Sequence, residues 1–139
     1  MIEDSATDAE LAHRMFQRAR IANPLTVLSS SEQAMAYLRG TGSYSKQGPS
    51  RPLLILLDLH LPGMSGLDFL RKIKTGGDTM DIPVVSLIMT TSAPAITMCL
   101  RLGVADHIIK PVDYAALLRV TKRLKLNLAL QPPPTAEAA

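Results

Sequence analysis

The sequence predicts an α/β fold in which strands and helices alternate around a parallel sheet. Apolar runs without polar alternation, of which 53–57 is the clearest, are typical of strands buried on both faces. Segments with a helical spacing of apolar residues separate these runs. The chain has 139 residues, 47% of them hydrophobic and 19% charged, which fits one folded domain and argues against disorder. Strands and helices that alternate along the chain predict right-handed crossovers within one sheet.

Two helices are predicted in the first third of the chain. Ser5, followed three residues later by Asp8, resembles a capping box and predicts a helix over 6–20. Ser30 opens a second helix in the same way, and that helix ends by Gly40. A loop rich in glycine, serine and proline then leads to the most apolar run.

Short apolar runs supply the predicted strands, and they cover residues 24–28, 53–57, 82–89 and 107–109. A strand before all of these would have to precede Glu3, where only Met1 and Ile2 are present. In a doubly wound sheet of this kind the first strand is central. We therefore expect residues 1–3 to form a stub of that strand, or the strand to be truncated upstream.

Further helices are predicted after the third and later strands. One carries apolar residues from Leu67 and closes at Gly76, and another covers 95–102. The last begins after Asp113 as its cap and carries apolar residues as far as Leu128. We expect a single domain over residues 1–130 and a disordered tail, rich in proline and alanine, over 131–139.

Composition narrows the function classes. The net charge is +3, without a clustered recognition motif, so the basic residues predict solvated helix faces and no nucleic-acid binding. The single cysteine, Cys99, excludes an internal disulfide and a cysteine-based zinc site. No apolar run approaches the roughly 20 residues of a membrane span, and no signal peptide is recognisable. These features predict a soluble cytoplasmic protein.

Charged residues follow the predicted strands, where parallel α/β sheets bind ligands. Asp58 ends the most apolar run, Glu3 and Asp4 would end the first strand, and Lys110 follows the last. Converging carboxylates repel one another, and Mg²⁺ relieves such repulsion because it prefers oxygen ligands. An acidic cluster with a lysine suits phosphoryl transfer, and a carboxylate can be the accepting nucleophile. Taken singly, each residue could equally be a surface charge or a turn residue.

Together with their neighbours, these residues resemble the response-regulator receiver domain of two-component signalling. The matching motifs are IEDS at 2–5, LLDLHLPGMSG at 56–66, MTTS at 89–92 and IIKPVD at 108–113. The resemblance covers about residues 2–127 and implies a flavodoxin-like (βα)5 fold with strand order 2-1-3-4-5. The long loop and the TTS and KPVD signatures are similar to small regulators of phytochrome-type histidine kinases.

The resemblance implies a role for each strand-end residue. Asp58 would accept a phosphoryl group from a kinase histidine. Glu3, Asp4 and Asp58 would hold Mg²⁺, with the backbone carbonyl of His60 as a further ligand. Lys110 would pair with the phosphoryl group, and its peptide bond to the following proline is expected to be cis.

Two positions depart from the family pattern. A hydroxyl residue on strand four should contact the phosphoryl group, but counting without gaps from either side places Ile88 there. Matching MTTS to the family signature selects Thr90, with Thr91 as the fallback, and we favour Thr90 because isoleucine cannot donate a hydrogen bond. His107 occupies the position of the usual aromatic switch residue, where a ring filling the same space is favoured over a pH sensor.

The resemblance implies a stand-alone phospho-acceptor with no enzymatic activity beyond self-phosphorylation and autodephosphorylation. It would signal by a conformational change on the face of strand four, helix four and strand five. Its partner would be a sensor histidine kinase, of the bacteriophytochrome type on this pattern, or a histidine phosphotransfer protein. Small regulators of this type often self-associate, which leaves a homodimer open. The alternatives are a phosphorylation-independent pseudo-receiver and, less favoured, a haloacid-dehalogenase-type phosphatase, which lacks its second aspartate here.

Overall fold

The computed structural model describes residues 1–59, 61, 65–89 and 93–132, with the backbone alone at residue 95. Its parallel sheet contains β1 (Ile55–Asp58), β2 (Val84–Ile88) and β3 (Asp106–Ile109), hydrogen-bonded in that order. The helices of this part of the chain are α1 (Ala6–Arg18), α2 (Ser31–Arg39), α3 (Gly66–Thr75), α4 (Ala93–Arg101) and α5 (Tyr114–Arg123). A short 3-10 helix, Gly42–Tyr44, lies in the long loop.

Side-chain caps fix where the helices begin, as the sequence predicts. The Ser5 hydroxyl accepts a hydrogen bond from the Asp8 N–H at 3.2 Å, and Ser30 caps α2 in the same manner. Each such cap contributes about 1 kcal/mol to stability. α2 ends at Gly40, whose φ of +67° favours glycine, and a Cβ there would lie 2.1 Å from the carbonyl carbon of Gly48.

The first two predicted strands are reduced to single bridges beside β1. Ile2 bridges Leu57 on one side and Leu28 on the other, both in parallel, so the spatial order Leu28, Ile2, β1, β2, β3 is the predicted 2-1-3-4-5 order. The first strand is short, as expected. The strand predicted over 24–28 does not form as a continuous strand, because the backbone hydrogen bonds that pair it with the first strand are confined to Thr26 and Leu28.

Both faces of the sheet are buried, which explains the apolar runs without alternation. Ile55 and Leu57 pack with Phe69 on the side of α2 and α3, whereas Leu56 faces Leu117 on the side of α1 and α5. All four residues of β1 and all five of β2 are buried. Among the described residues, no helix combines the length and the apolar character needed to cross a bilayer.

The last helix ends earlier than its apolar pattern suggests. α5 stops at Arg123, and Lys125 has a φ of +58°, so Leu128 is not part of it. The chain instead turns back across the molecule, where Leu130 bridges Ile21 in antiparallel orientation. Leu128 still packs against the core, which accounts for its apolar character. Residues 133–139 of the predicted tail lie outside the described residues.

A buried carboxylate at the start of β3 joins the sheet to α5. Asp106 accepts a hydrogen bond from the His107 N–H at 2.7 Å, and its Oδ2 lies 2.8 Å from Arg123 Nη1 and 3.4 Å from Arg119 Nη1. Burial alone would raise the pKa of Asp106, but these hydrogen bonds and the two guanidinium groups outweigh burial and hold the pKa below its usual value of 3.8.

Asp106→Asn is therefore expected to lower the free energy of unfolding at pH 7 by about 1.5 kcal/mol, the contribution of hydrogen bonds to a charged group. Because the folded-state pKa is depressed, the contribution is complete above the usual pKa and is lost as pH falls through the folded value. Urea unfolding from pH 7 to pH 2.5 should thus show the two proteins converging in acid. Asp68→Asn, at an exposed surface pair with Arg71, is the control and should change little. A deficit that stays constant with pH would contradict the expectation.

Candidate functional site

The acidic residues predicted at the strand ends meet in one pocket. One carboxylate oxygen from each of Glu3, Asp4 and Asp58 lies within 4.8 Å of the others. Glu3 and Asp4 directly follow the Ile2 bridge, and Asp58 is the last residue of β1. Glu3 and Asp58 are almost wholly buried, whereas Asp4 is exposed at the rim. Parallel pairing brings the ends of neighbouring strands to the same edge, which explains the convergence.

Lys110 reaches into the same pocket from the end of β3. Its Nζ lies 2.7 Å from Glu3 Oε2 and 3.2 Å from Asp58 Oδ2. Its backbone N–H donates to the Ile88 carbonyl at 2.9 Å, which extends the β2–β3 ladder by one residue. The bond from Lys110 to Pro111 is cis, as expected. The structure thus brings together four of the side chains selected from the sequence.

The charges of this pocket are strongly coupled. Burial would lower the pKa of Lys110, but hydrogen bonds to Glu3, Asp8 and Asp58 outweigh burial and raise the pKa above its ordinary value. Burial raises the pKa of Glu3, and the hydrogen bond from Lys110 opposes the rise while the charge of Asp58 adds to it. The ammonium group therefore stays protonated and holds neighbouring carboxylates together against their mutual repulsion.

The pocket contains a further carboxylate, that of Asp8, which was not predicted from the sequence as part of the site. Asp8 Oδ2 lies 3.2 Å from Lys110 Nζ. The sequence identified Asp8 only as part of the cap of α1, and that cap is also present. The available signal was its position one helical turn beyond the acidic pair, where the first turn of α1 faces the strand ends.

Gly66 allows the helix after the Asp58 loop to begin close to the site. A Cβ at Gly66 would lie 2.6 Å from the Asp58 carbonyl oxygen and 2.7 Å from the Leu59 Cα. No side chain fits at that distance without a shift of the backbone. The first turn of α3 can therefore pack directly against the backbone of Asp58 and Leu59.

Two residues selected from the sequence, His60 and Thr90, lie outside the described residues, as does Thr91. Within the described part, Ile88 is the last residue of β2, pairs with Ile109 and is buried. The ring of His107 is half-buried on β3. The choice of Thr90 over Thr91 or Ile88 as the hydroxyl position stays a prediction.

The donor set suits a hard divalent cation. Three carboxylates within 4.8 Å offer the oxygen ligands that Mg²⁺ prefers, and Asp4 among them is exposed to solvent. The Lys110 ammonium group, which lies beside Glu3 and Asp58, carries the positive charge that would neutralise an incoming anion. A buried carboxylate, neighbouring carboxylates that could hold a cation and a lysine thus lie in one pocket, which is the arrangement that the sequence resemblance implies for a receiver-type signalling domain.

Comparison with known proteins identifies the family to which the chain belongs. The chain belongs to the response regulator receiver domains, because that family's model matches residues 1–122. The Synechocystis response regulator Rcp1 is 39% identical over 125 residues, which cover 90% of this chain and 84% of Rcp1. The Arabidopsis thaliana two-component response regulator ARR7 is 30% identical over 131 residues, and the match spans 92% of this chain but 62% of ARR7.

Solved structures of related regulators have the same fold. The bacteriophytochrome response regulator AtBRR superposes with a TM-score of 0.85 at 30% identity, covering 95% of this chain and 94% of AtBRR. The Mn²⁺-bound form of Rcp1 gives a TM-score of 0.74 at 30% identity, covering 95% and 96% of the two chains. The phosphorylated cyanobacterial phytochrome regulator RcpA gives 0.72 at 31% identity, covering 89% and 87%. The chain is thus similar to phytochrome response regulators.

Proposed function

We propose that Asp58 accepts a phosphoryl group from a histidine of a sensor kinase or phosphotransfer protein in a Mg²⁺-dependent reaction. The observation that carries the proposal is the placement of Lys110 Nζ 3.2 Å from Asp58 Oδ2, in a pocket shared with Glu3 and Asp4. Related regulators have been solved in a phosphorylated form and in a Mn²⁺-bound form, which supports both parts of the proposal.

Each residue of the pocket would have its own role in this reaction. An Asp58 oxygen attacks phosphorus, so a P–O bond forms while the P–N bond to the donor histidine breaks, and the histidine nitrogen retains the electron pair. Lys110 neutralises charge on the phosphoryl oxygens, and Glu3 and Asp4 hold the metal together with Asp58. The bound Mg²⁺ would supply electrostatic stabilisation of those oxygens. The His60 carbonyl and the Thr90 hydroxyl remain predicted contributors.

Signalling would follow from the rearrangement of Lys110. In the structure its ammonium group is shared among Glu3, Asp8 and Asp58, and a phosphoryl group on Asp58 would compete for it. The backbone of Lys110 is bonded to β2 through Ile88, so the change can reach the face formed by β2, α4 and β3. Exposed apolar side chains occur on α4 and β3, and such side chains are suited to partner contact; they are Met98, Leu100 and Ile109.

The proposal extends to the bounds of the domain, its location in the cell and its partners. The domain would span residues 1–130 and act in the cytoplasm as a signalling domain rather than an enzyme with a substrate of its own. Response regulators interact with histidine kinases, and the resemblance to Rcp1 and AtBRR favours a phytochrome-type kinase. Homodimer formation is compatible with this role, and nucleic acid and membrane have no part in it.

The test is incubation with Mg²⁺ and acetyl phosphate, followed by intact mass spectrometry. The wild type should gain the mass of one phosphoryl group, and Asp58→Asn should gain none, because an amide oxygen is a poor nucleophile and cannot form the acyl phosphate. Asp68→Asn, a surface aspartate on α3, should behave like the wild type. Unmodified wild type, with both acetyl phosphate and a genuine kinase donor, would contradict the proposal.

One observation favours a second candidate, a phosphorylation-independent binding module. β2 ends in the buried Ile88, level with Ile109 on β3, where a residue that reports a phosphoryl group would need a hydroxyl. Such a module would bind its partner with equal affinity as wild type and as Asp58→Asn, with or without beryllofluoride. A phosphorylation-dependent change in affinity would instead support the main proposal.

A further inference from the structure

The ammonium group of Lys110 has one more carboxylate partner than the proposed chemistry uses. Around its Nζ lie carboxylate oxygens of Glu3 at 2.7 Å and of Asp8 and Asp58 at 3.2 Å. Glu3 and Asp58 belong to the carboxylate cluster that could hold Mg²⁺, whereas the cluster found among the described residues does not include Asp8. The contact between Asp8 and the lysine therefore calls for a separate explanation.

A closed ring of polar contacts places Asp8 beside the lysine. The Ser5 N–H donates to Glu3 Oε1 at 3.2 Å, and the Asp8 N–H donates to the Ser5 hydroxyl at 3.2 Å. Glu3 Oε2 and Asp8 Oδ2 both contact Lys110 Nζ, which closes the ring. Because the cap of α1 is part of this ring, the first turn of the helix holds the Asp8 carboxylate against the ammonium group.

The three carboxylate partners of Lys110 differ in burial. The exposed fraction of the side chain is 0% for Glu3 and 4% for Asp58, but 32% for Asp8. A buried carboxylate that loses its cation is left with an uncompensated charge, whereas water can solvate a carboxylate that is partly exposed. Asp8 is therefore the partner that Lys110 can release at the lowest cost.

A phosphoryl group on Asp58 would require such a release. A lysine ammonium group has three N–H donors, and three carboxylates already surround that of Lys110. To bind a phosphoryl oxygen, the lysine must give up one of these partners. The negative charge of the phosphoryl group would also repel a neighbouring carboxylate, which adds to the reason for Asp8 to leave.

We propose that Asp8 is a positioning residue that holds Lys110 in the unphosphorylated protein and competes with the phosphoryl group for its ammonium group. The inference rests on the proposed transfer to Asp58 and adds to it a residue that opposes occupancy of the pocket by an anion. Loss of the Asp8 charge should consequently strengthen anion binding at Asp58. A purely structural role for Asp8 leads to the opposite expectation, since a loosened pocket would bind the anion less well.

The test is a titration with beryllofluoride, an anion that bonds to a carboxylate oxygen as a phosphoryl group does, followed by ¹⁹F NMR in the presence of Mg²⁺. Asp8→Asn should bind it with a Kd about tenfold lower than the wild type, which corresponds to one hydrogen bond between charged groups. The asparagine keeps the backbone N–H that Ser5 caps, so the fold should be retained. Asp8→Glu restores the charge and should return the Kd to the wild-type value.

Glu10→Gln is the matched control, because it removes the same charge from the same helix at an exposed pair with Arg14. It should bind beryllofluoride as the wild type does. An unchanged or higher Kd in Asp8→Asn would overturn the inference, and so would an equal gain in Glu10→Gln, which would reflect net charge alone. Wild type that binds no beryllofluoride and gains no phosphoryl group would instead contradict the proposed function itself, so the two failures are distinguishable.

Discussion

Replacing Lys110 with methionine is expected to lower the free energy of unfolding at pH 7 by about 3 kcal/mol. The ammonium group lies within 3.2 Å of carboxylate oxygens of Glu3, Asp8 and Asp58, and the lysine side chain is 10% exposed. Removing one partner of a buried ion pair costs about 3–5 kcal/mol, because the remaining charge is left uncompensated. Here more than one carboxylate would lose the same cation.

The pH dependence of this stability contribution follows from the direction in which the pKa of Lys110 is shifted. The folded-state pKa of Lys110 is raised, so its contribution is fully present below the ordinary lysine value of 10.5 and is lost only as pH rises beyond that. In Lys110→Met the hydrogen bond that opposes the raised pKa of Glu3 is lost, so the variant should regain stability as pH falls from 7 towards 4. Chemical unfolding between pH 7 and pH 4 measures the regain of stability in the variant.

Lys72→Met is the matched control, because Lys72 is an exposed lysine on α3. It should shift the free energy of unfolding by no more than about 0.5 kcal/mol. An equal loss in the two methionine variants, or a Lys110→Met deficit that does not shrink in acid, would show that the pocket is not held together by this ammonium group.

Addition of Mg²⁺ is expected to stabilise the wild type through the acidic pocket. A ligand that binds only the folded state stabilises it by about 2.7 kcal/mol at a concentration one hundred times its Kd. If Asp4→Asn weakens binding about a hundredfold, the gain at that same concentration falls to about 0.4 kcal/mol. Asp4 suits this test because it is exposed, so its substitution should leave the fold intact.

Asp78→Asn provides the comparison, since Asp78 is an exposed aspartate outside the cluster of Glu3, Asp4 and Asp58. It should retain the full response to Mg²⁺ in a thermal unfolding titration. Ca²⁺ and Mn²⁺ can be titrated in parallel, because carboxylate oxygens bind all three ions with different geometric demands. A Mg²⁺ response of the same size in Asp4→Asn would mean that the ion binds elsewhere.

The sequence predicted most elements because local signals and burial agreed. Ser5, Ser30 and Asp113 occupy the caps that they were expected to form, since the side-chain oxygen of an N-cap residue accepts a hydrogen bond from the free N–H three residues later. The apolar run of β1 lies in the centre of the sheet, where both faces are covered. These features depend on neighbouring residues and on average polarity alone.

The helix end at Arg123 and the loss of the strand over 24–28 were not predictable in the same way. Leu128 continues the apolar pattern beyond α5, but it packs onto the core from a returning segment instead of from the helix. The segment 24–28 has the composition of a strand, yet its pairing with the first strand is confined to Thr26 and Leu28. In both cases the outcome was set by which chain segment was available to pack or pair.

For the candidate site, the sequence by itself determined the chemistry: carboxylates and a lysine at successive strand ends, in a pattern that resembles a receiver domain. The tertiary structure decided their geometry. It placed Lys110 2.7 Å from Glu3 and added Asp8 from α1. The physical reason is that residue type and spacing fix charge and secondary structure locally, whereas contacts between distant segments arise only when the sheet assembles and the core fills.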